Sequence, residues 1–581
     1  LTDLILPTSI DDELLTEIVR KHGIPRALAA MLAARGQAEE IAARLSSSQE
    51  EWKDLLLDPT PMKGFEQAIE AMLEARERHE TVVVHGDYDV DGMTATAILH
   101  LSLRRAGIAS GWTLPRRDGE GYGLSDASLE RCRTVDGVFG LPEGASRTAT
   151  WAISVDTGIT AGPQIMRAKE RGLRTIVTDH HLPGECFPDH ADIVIDPYQD
   201  GCPYPNKSLC GAGLAWKLGR ELLVRTGKAQ ESDPIRLLQL VALGTLADMV
   251  PLTLENMALV RLGLRELAER PLPGIVELLK SADLAKGVAP KSTDLVFRVT
   301  PRLNSAGRLR QGETAVHLLL AAGALEAIQG MGALEDLNHR RQQLDQRITA
   351  EASTQAERHL LHDPAALVLA HETWHEGVSG IVAQRIAERV HRPVFVLAPD
   401  PGRPGEYRGS GRTIRGVDLH ACLSECAELL EKWGGHSQAA GLSIRTENID
   451  AFRERFAMAA RLTGAGTAVP PVRTDARIEL SEITPEFLNW LERLEPWGAA
   501  NDAPCFLCAD VEVLGLSRVG DGKHLRLNLQ KDGIRLEAIG FGLASLADEL
   551  APGHRVKIAF TPEWNTFRGR KTLQLKLKGI Q

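Results

Sequence analysis

His85-Gly-Asp87-Tyr-Asp89-Val-Asp91-Gly92 follows the β-branched apolar run Thr81–Val84 and precedes Met93–Leu103, whose apolar residues recur at helical spacing. Strand, acidic turn, helix is the local reading. Three more acidic or acid-histidine signatures come after it: Val155-Asp156-Thr-Gly158, Thr178-Asp179-His180-His181 and Leu246-Ala-Asp248-Met249. The first two end the strand-like runs Trp151–Val155 and Thr175–Thr178, and the last ends Ile235–Ala247, which reads as helix. In an open parallel sheet the carboxyl ends of successive strands converge on one crevice, so acids far apart in sequence share a site. Carboxylates and imidazoles without thiolates favour Mn²⁺ or Mg²⁺ over structural zinc.

Asp87-x-Asp89-x-Asp91-Gly92 also copies the opening of an EF-hand calcium loop, whose twelfth position should be Glu. Here that position is Ile98, and the preceding segment is β-branched where a helix is required. A lone Asp after a strand is most often a helix cap. Four such positions in one stretch of chain make capping a poor account of them all. His85 is open between a ligand and a core histidine at a strand end, and Asp91 between support behind the ligands and turn formation.

The four signatures resemble the motifs of the DHH phosphoesterase superfamily. Downstream, Pro301-Arg302-Leu-Asn304-Ser-Ala-Gly-Arg308, Gly409-Ser410-Gly-Arg412 and Gly434-Gly435-His436 resemble its RecJ branch of single-strand-specific exonucleases, and the likeness runs from about Val82 to the C-terminus. It implies a 5′→3′ exonuclease that degrades single-stranded DNA to 5′-mononucleotides in DNA repair and recombination, using two ions, Mn²⁺ or Mg²⁺. By the same likeness Asp156 bridges the ions, Asp87, Asp89, His180 and Asp248 complete their ligands, and His181 faces the scissile phosphate. Arg117, Arg302, Asn304, Arg308, Ser410, Arg412 and His436 are the expected phosphate donors, Arg being suited by its fork and the neighbouring Gly residues by close backbone approach. Single-stranded DNA is the implied partner, with a single-strand-binding protein and a helicase beyond it. Two alternatives remain at this point: a DHH phosphodiesterase acting on oligoribonucleotides or cyclic dinucleotides, and a catalytically silent DNA-binding scaffold.

The 581 residues exceed a single core, and 43% apolar with 25% charged residues is an ordinary globular balance. The expected class is α/β, divided as an N-terminal helical cap (1–50), a parallel-sheet DHH catalytic domain (51–332), a connecting helix (333–361), a smaller α/β DHH-associated domain (362–462) and a C-terminal β-barrel of OB type (472–581). The barrel rests on short alternating strands and on the family likeness. Residues 463–471, rich in Gly, Ala and Pro, read as a linker. A net charge of −11 is awkward for a nucleic-acid enzyme, but 555–581 carries seven Lys or Arg against Glu563 alone, either a binding surface or a solvated strand face.

Eight cysteines without framework spacing, no long apolar run and no leader-like start lead to the expectation of a reduced, cytoplasmic protein without a membrane partner. Cys422/Cys426 and Cys505/Cys508 lack a second half-site for zinc. His371-Glu372-Thr-Trp-His375 matches the zinc-protease pattern, which needs both histidines on one helix face. It follows the strand-like Ala365–Ala370 and meets Gly377, so a loop is expected.

Overall fold

The computed structural model describes residues 2–45, 47–116, 123–285, 287–362, 364–414, 416–463, 471–567 and 570–581. The chain forms two compact units, Asp58–Val250 with Leu259–Val469, and Leu1–Leu57 with Pro251–Ala258 and Pro470–Gln581.

The larger unit is built on five parallel strands: β1 (Thr81–Gly86), β2 (Ala109–Thr113), β3 (Trp151–Val155), β4 (Arg174–Thr178) and β5 (Ile193–Ile195). Their order is β2-β1-β3-β4-β5, so the winding reverses between β1 and β3. That reversal opens a crevice at the strands' carboxyl ends, where ligands of doubly wound sheets bind. The loops after β1 and β3 carry Asp87, Asp89 and Asp156 into it. β1 is buried along its whole length, which is why its sequence is a continuous apolar run without alternation.

Helix α1 (Val90–Arg105) starts where the Asp89 side chain caps it, accepting from the Gly92 N–H. It lies among α2 (Gly211–Arg225) and α3 (Leu238–Ala247) and is buried nearly all round, its polar Asp91, Thr94, Thr96, His100 and Ser102 included. The EF-hand geometry is thereby excluded. α4 (Thr300–Arg308) follows a π-helical turn, Leu295–Val299. The connecting helix α5 (Ala324–Leu360) begins nine residues earlier than the reading from Ala333, because the burial of Ala327 and Met331 carries it through Gly330 and Gly332. Each glycine costs about 1 kcal/mol in a helix, an amount tertiary packing overrides.

Beyond α5 come β6 (Leu367–Ala370), α6 (Glu376–Val390), β7 (Val394–Pro399), β8 (Glu406–Arg412), β9 (Lys432–Gly435) and β10 (Ala439–Arg445). The sheet order is β9-β10-β8-β7-β6, with β6 and β7 parallel and the other pairs antiparallel. One face buries Phe395 against Phe452 and Phe456, and the other buries Val394 and Val396 with Val378, Val382 and Ile348, which locks α5 and α6 to the sheet. His375 caps α6, its Nδ1 accepting from the Gly377 N–H, while His371 lies before the helix. The two histidines share no helix face, so this is no zinc-protease site.

In the smaller unit β11 (Phe506–Val519), β12 (His524–Lys531), β13 (Ile534–Gly540), β14 (Arg555–Phe567) and β15 (Arg570–Ile580) run in the order β11-β12-β13-β15-β14, and pairing of β11 with β14 closes the barrel. This is the five-stranded OB architecture. Its core, including Phe506, Leu527 and Phe560, is shared with Leu15, Ile18 and Leu28 from the helices Asp12–His22 and Arg26–Ala34. Leu4–Ile5 pairs in parallel with Val472–Arg473. Most of the expected linker, 464–470, lies outside the described residues. No helix among the described residues is long and apolar enough to cross a membrane, and the eight cysteines are free, seven of them buried.

Candidate metal centre

Three sets of ligand atoms gather at the β1/β3 crevice: Asp87, Asp89 and Asp156; Asp156, His180 and His181; and Asp91, His180 and Asp248, with the atoms of each set within 4.8 Å of one another. His180 Nε2 stands 3.0 Å from Asp156 Oδ1, 3.6 Å from Asp248 Oδ2 and 3.7 Å from Asp91 Oδ2. Neighbouring ligands of an octahedral ion bound at about 2.1 Å lie roughly 3 Å apart. Asp156 is shared by two sets, as a residue between two ions would be.

The local chain is bent to serve this packing. Asp156 sits at φ 62°, the left-handed region that only short polar side chains and glycine visit readily, with its side chain buried. A Cβ on Gly211 would lie 2.6 Å from the Asp156 Cβ, and one on Gly244 would lie 2.4 Å from Asp91 Oδ1. These two glycines went unnoticed in the sequence. The Cys210-Gly-Ala-Gly213 opening of α2 was the signal that could have found Gly211, whereas nothing distinguishes Gly244 within an apolar helix. Asp91 is more than a turn former. Its carboxylate accepts from the Gly211 and Ala212 N–H groups at 2.7 and 2.9 Å, taking up the N-terminus of α2.

Crowded carboxylates in a buried site oppose their own ionisation. Burial, then Asp91, Asp89 and Asp87, push the Asp156 carboxyl far above its ordinary range. Burial with Asp91 and Asp89 raises Asp248 to about 8, and burial with Asp91 raises Asp89. Burial lowers His180 despite the acids around it, which favours the neutral ring, the form that can ligate a cation. Neither Asp156 Oδ1 nor His180 Nε2 has a hydrogen-bond partner, although both are buried. Divalent cations satisfy both requirements at once, partnering the orphaned atoms and offsetting the negative charge. The residues therefore fit two hard cations of the Mn²⁺ or Mg²⁺ type.

His181 differs from His180. Its Nδ1 lies 2.7 Å from Asp179 Oδ1, and that hydrogen bond, against the effect of burial, raises the imidazole to about 9. Asp179 is fixed in turn by the N–H groups of Ile159, His180 and His181. The bond to Asp179 favours the protonated imidazole of His181. His85 is fully buried at the end of β1, held neutral with a pKa lowered to about 3 by burial and Arg131, and neither ring nitrogen has a hydrogen-bond partner. It is not part of the three ligand sets.

A cleft of about 300 Å³ joins this centre to the smaller sheet: Asp89, Asp91 and Asp248 line one wall, and Asn304, Arg308, Ser410 and Arg412 another. The Gly409-Ser-Gly-Arg412 stretch is strand β8, so its side chains alternate. Gly409 and Gly411 face the core, where a Cβ would strike Leu397 or the Phe395 ring at 2.3 Å, and Ser410 and Arg412 face the cleft. The glycines make room for core side chains, which differs from the expected approach to a ligand. Arg412 forms no ion pair among the described residues, its Nη1 donating only to Gly411 O, and burial lowers its pKa. A half-buried guanidinium without an acid awaits an anion.

Two expected donors lie elsewhere. Arg302 points away from the cleft to Glu335 at 2.9 Å, because positions 302 and 304/308 fall on different faces of α4. His436 is exposed at the β9–β10 turn, its N–H donating to Ala439 O, and does not line the cleft. Arg117 lies outside the described residues.

Family models for the DHH family N-terminal domain, the DHHA1 domain and the RecJ OB domain match residues 81–245, 363–461 and 474–579. The single-stranded-DNA-specific exonuclease RecJ of Dickeya dadantii is 34% identical over 90% of this chain and 92% of its own length. That of Bacillus subtilis is 34% identical over 90% of this chain, which spans 64% of that relative. The crystal structure of Thermus thermophilus RecJ with Mn²⁺ superposes over the whole chain and 79% of its own at TM-score 0.82 and 28% identity. Its Mg²⁺ counterpart does so over the whole chain and 78% of its own at TM-score 0.76 and 26% identity. With identity above 30% across nine-tenths of the Dickeya relative, this chain belongs to the RecJ family.

Proposed function

We propose that this protein is a divalent-metal-dependent exonuclease that hydrolyses single-stranded DNA from the 5′ end, releasing 5′-mononucleotides, in DNA repair and recombination. The observation that carries this reading is one cleft with an acidic, cation-seeking wall opposite Arg412 and Ser410, donors in want of an anion. Bound there, two divalent cations supply Lewis-acid charge and make water a nucleophile at neutral pH. Asp156, Asp87, Asp89, His180 and Asp248 are the residues that would hold them. His181, charged by its bond to Asp179, donates from Nε2 to the phosphate as negative charge grows there. Ser410, Arg412, Asn304 and Arg308 fix the phosphate on the far wall, so that the phosphodiester is presented in line.

The reading is favoured over a phosphodiesterase for cyclic dinucleotides or oligoribonucleotides by the OB barrel, a strand-gripping fold. It is favoured over a silent scaffold by the intact ligand cluster. The free cysteines suit a reducing cytoplasm, and proteins that expose or coat single strands, a helicase and a single-strand-binding protein, are the partners suited to such an activity. Digestion of single strands labelled at either end tests it. Mononucleotides should appear from the 5′ label first, with Mn²⁺ and not with EDTA, and release of the 3′ label first would overturn the polarity.

A further inference from the structure

The wall of the cleft that offers donors to phosphate also contains an acid. Glu376, the first residue of α6, lines the cleft with Arg308, Ser410 and Arg412, although its side chain is only 6% exposed. Its Oε1 accepts from Arg310 Nη2 at 2.6 Å. Its Oε2 stands 3.4 Å from Arg408 Nη1, an ion pair without a hydrogen bond, and this oxygen is buried with no hydrogen-bond partner among the described residues. Arg408 does not depend on it, since Asp400 Oδ2 lies 2.8 Å from Arg408 Nε. Gly380 comes one turn later on α6, and a Cβ there would lie 3.2 Å from Arg412 Nη2. Helix positions four apart are neighbours at about 5–6 Å, so Arg412 lies against the face of α6 that Glu376 begins.

A wall that only had to grip phosphate would exclude a carboxylate, which repels the ligand and competes with it for guanidinium. A brace between α4 and β8 would use both carboxylate oxygens, and a buried charge is a costly brace where an apolar contact would serve. Glu376 fits neither role. It stands at the N-terminus of a helix, where negative charge is favoured, with guanidinium partners, which is the setting of a bound anion. We propose that Glu376 is a resident anion that weakens phosphate binding in the cleft and so sets how quickly the product mononucleotide leaves. Strand and product present the same phosphate chemistry to this wall, so donors that hold one hold the other. A fixed negative charge among them lowers both affinities, and product release is the step that tight binding slows. The identity of the product rests on the exonuclease reading; the effect of the charge on phosphate binding does not.

The test is calorimetric titration with thymidine 5′-monophosphate in Mn²⁺, since a mononucleotide offers no internucleotide bond to cleave. Glu376→Gln keeps the shape and can still accept from Arg310. It should bind the nucleotide about tenfold more tightly, while kcat and KM on single strands fall together. A brace predicts the reverse, weaker nucleotide binding with kcat lost and KM unchanged or raised. That result overturns the resident anion, and so does unchanged nucleotide affinity. If the unbalanced Arg310 keeps Glu376→Gln from folding, the double variant Glu376→Gln, Arg310→Gln removes both charges and can retain a hydrogen bond. Nucleotide affinity within about threefold of wild type then supports the charge effect, and a larger loss makes the pair a brace. A wild type that digests no single strand in Mn²⁺, with tighter nucleotide binding in Glu376→Gln, would sink the exonuclease reading and leave the charge effect standing.

Discussion

At the scale of single residues, Asp156 concentrates the costs of this site: a left-handed backbone, full burial and four neighbouring carboxylates. Without cations those terms oppose folding, and with them they are offset. Asp156→Asn should therefore raise the melting temperature in EDTA by a few degrees, abolish the stabilisation that Mn²⁺ gives the wild type, and lower hydrolysis at least a thousandfold. A variant that Mn²⁺ still stabilises as strongly would show that Asp156 does not join the two ligand sets. Gly211→Ala acts on the same carboxylate from behind, since a methyl group 2.6 Å from the Asp156 Cβ must displace it. Its expected result is a loss of about tenfold or more in activity with single-strand affinity retained, and Gly219→Ala, on the same helix but against Ser102, is the control for mere helix crowding.

The secondary elements show where reading a sequence succeeds. β1, β3 and β4 were legible because a strand buried on both faces is a continuous apolar run, and the metal signatures because they end those runs. α5 was cut short at Gly332 because glycine is read as punctuation, whereas buried Ala327 and Met331 hold the helix together. The phosphate donors were harder. In Gly409-Ser-Gly-Arg412 the type of residue was informative, but only strand pairing reveals that alternation sends both glycines to the core and both donors to the cleft. Arg302 belonged to the same motif as Arg308 and was separated from it by helical phase. From β8 it follows that Arg412→Ala should cut turnover on single strands by about a hundredfold and leave Mn²⁺ affinity, read by calorimetry, unaltered. Parallel loss of metal affinity would make Arg412 a support of the metal site instead.

Across the whole molecule, a histidine buried in its neutral form makes acid destabilising. His100, buried on α1 with Nδ1 3.1 Å from Ser110 Oγ, is kept neutral in the fold, its pKa lowered from 6.5 to about 4 by burial and Arg104. A folded pKa below the unfolded one means its contribution is complete above pH 6.5 and is lost as the pH falls toward 4, about 3 kcal/mol in all. Denaturant midpoints measured from pH 7 to pH 5 should fall less steeply in His100→Gln, and equal slopes would contradict the assignment. The smaller unit raises a different matter. Its helices at 12–34 bury Leu15, Ile18 and Leu28 on a barrel encoded after residue 470, with about 435 residues intervening. Translated at about 5–20 residues per second, those helices wait about 20–90 s before their partner begins to be made. Vectorial synthesis therefore leaves their apolar faces to chaperones or to transient self-association. A truncation designed to remove the barrel would make that wait permanent, so a stable barrel-free fragment has to shed its first 57 residues as well.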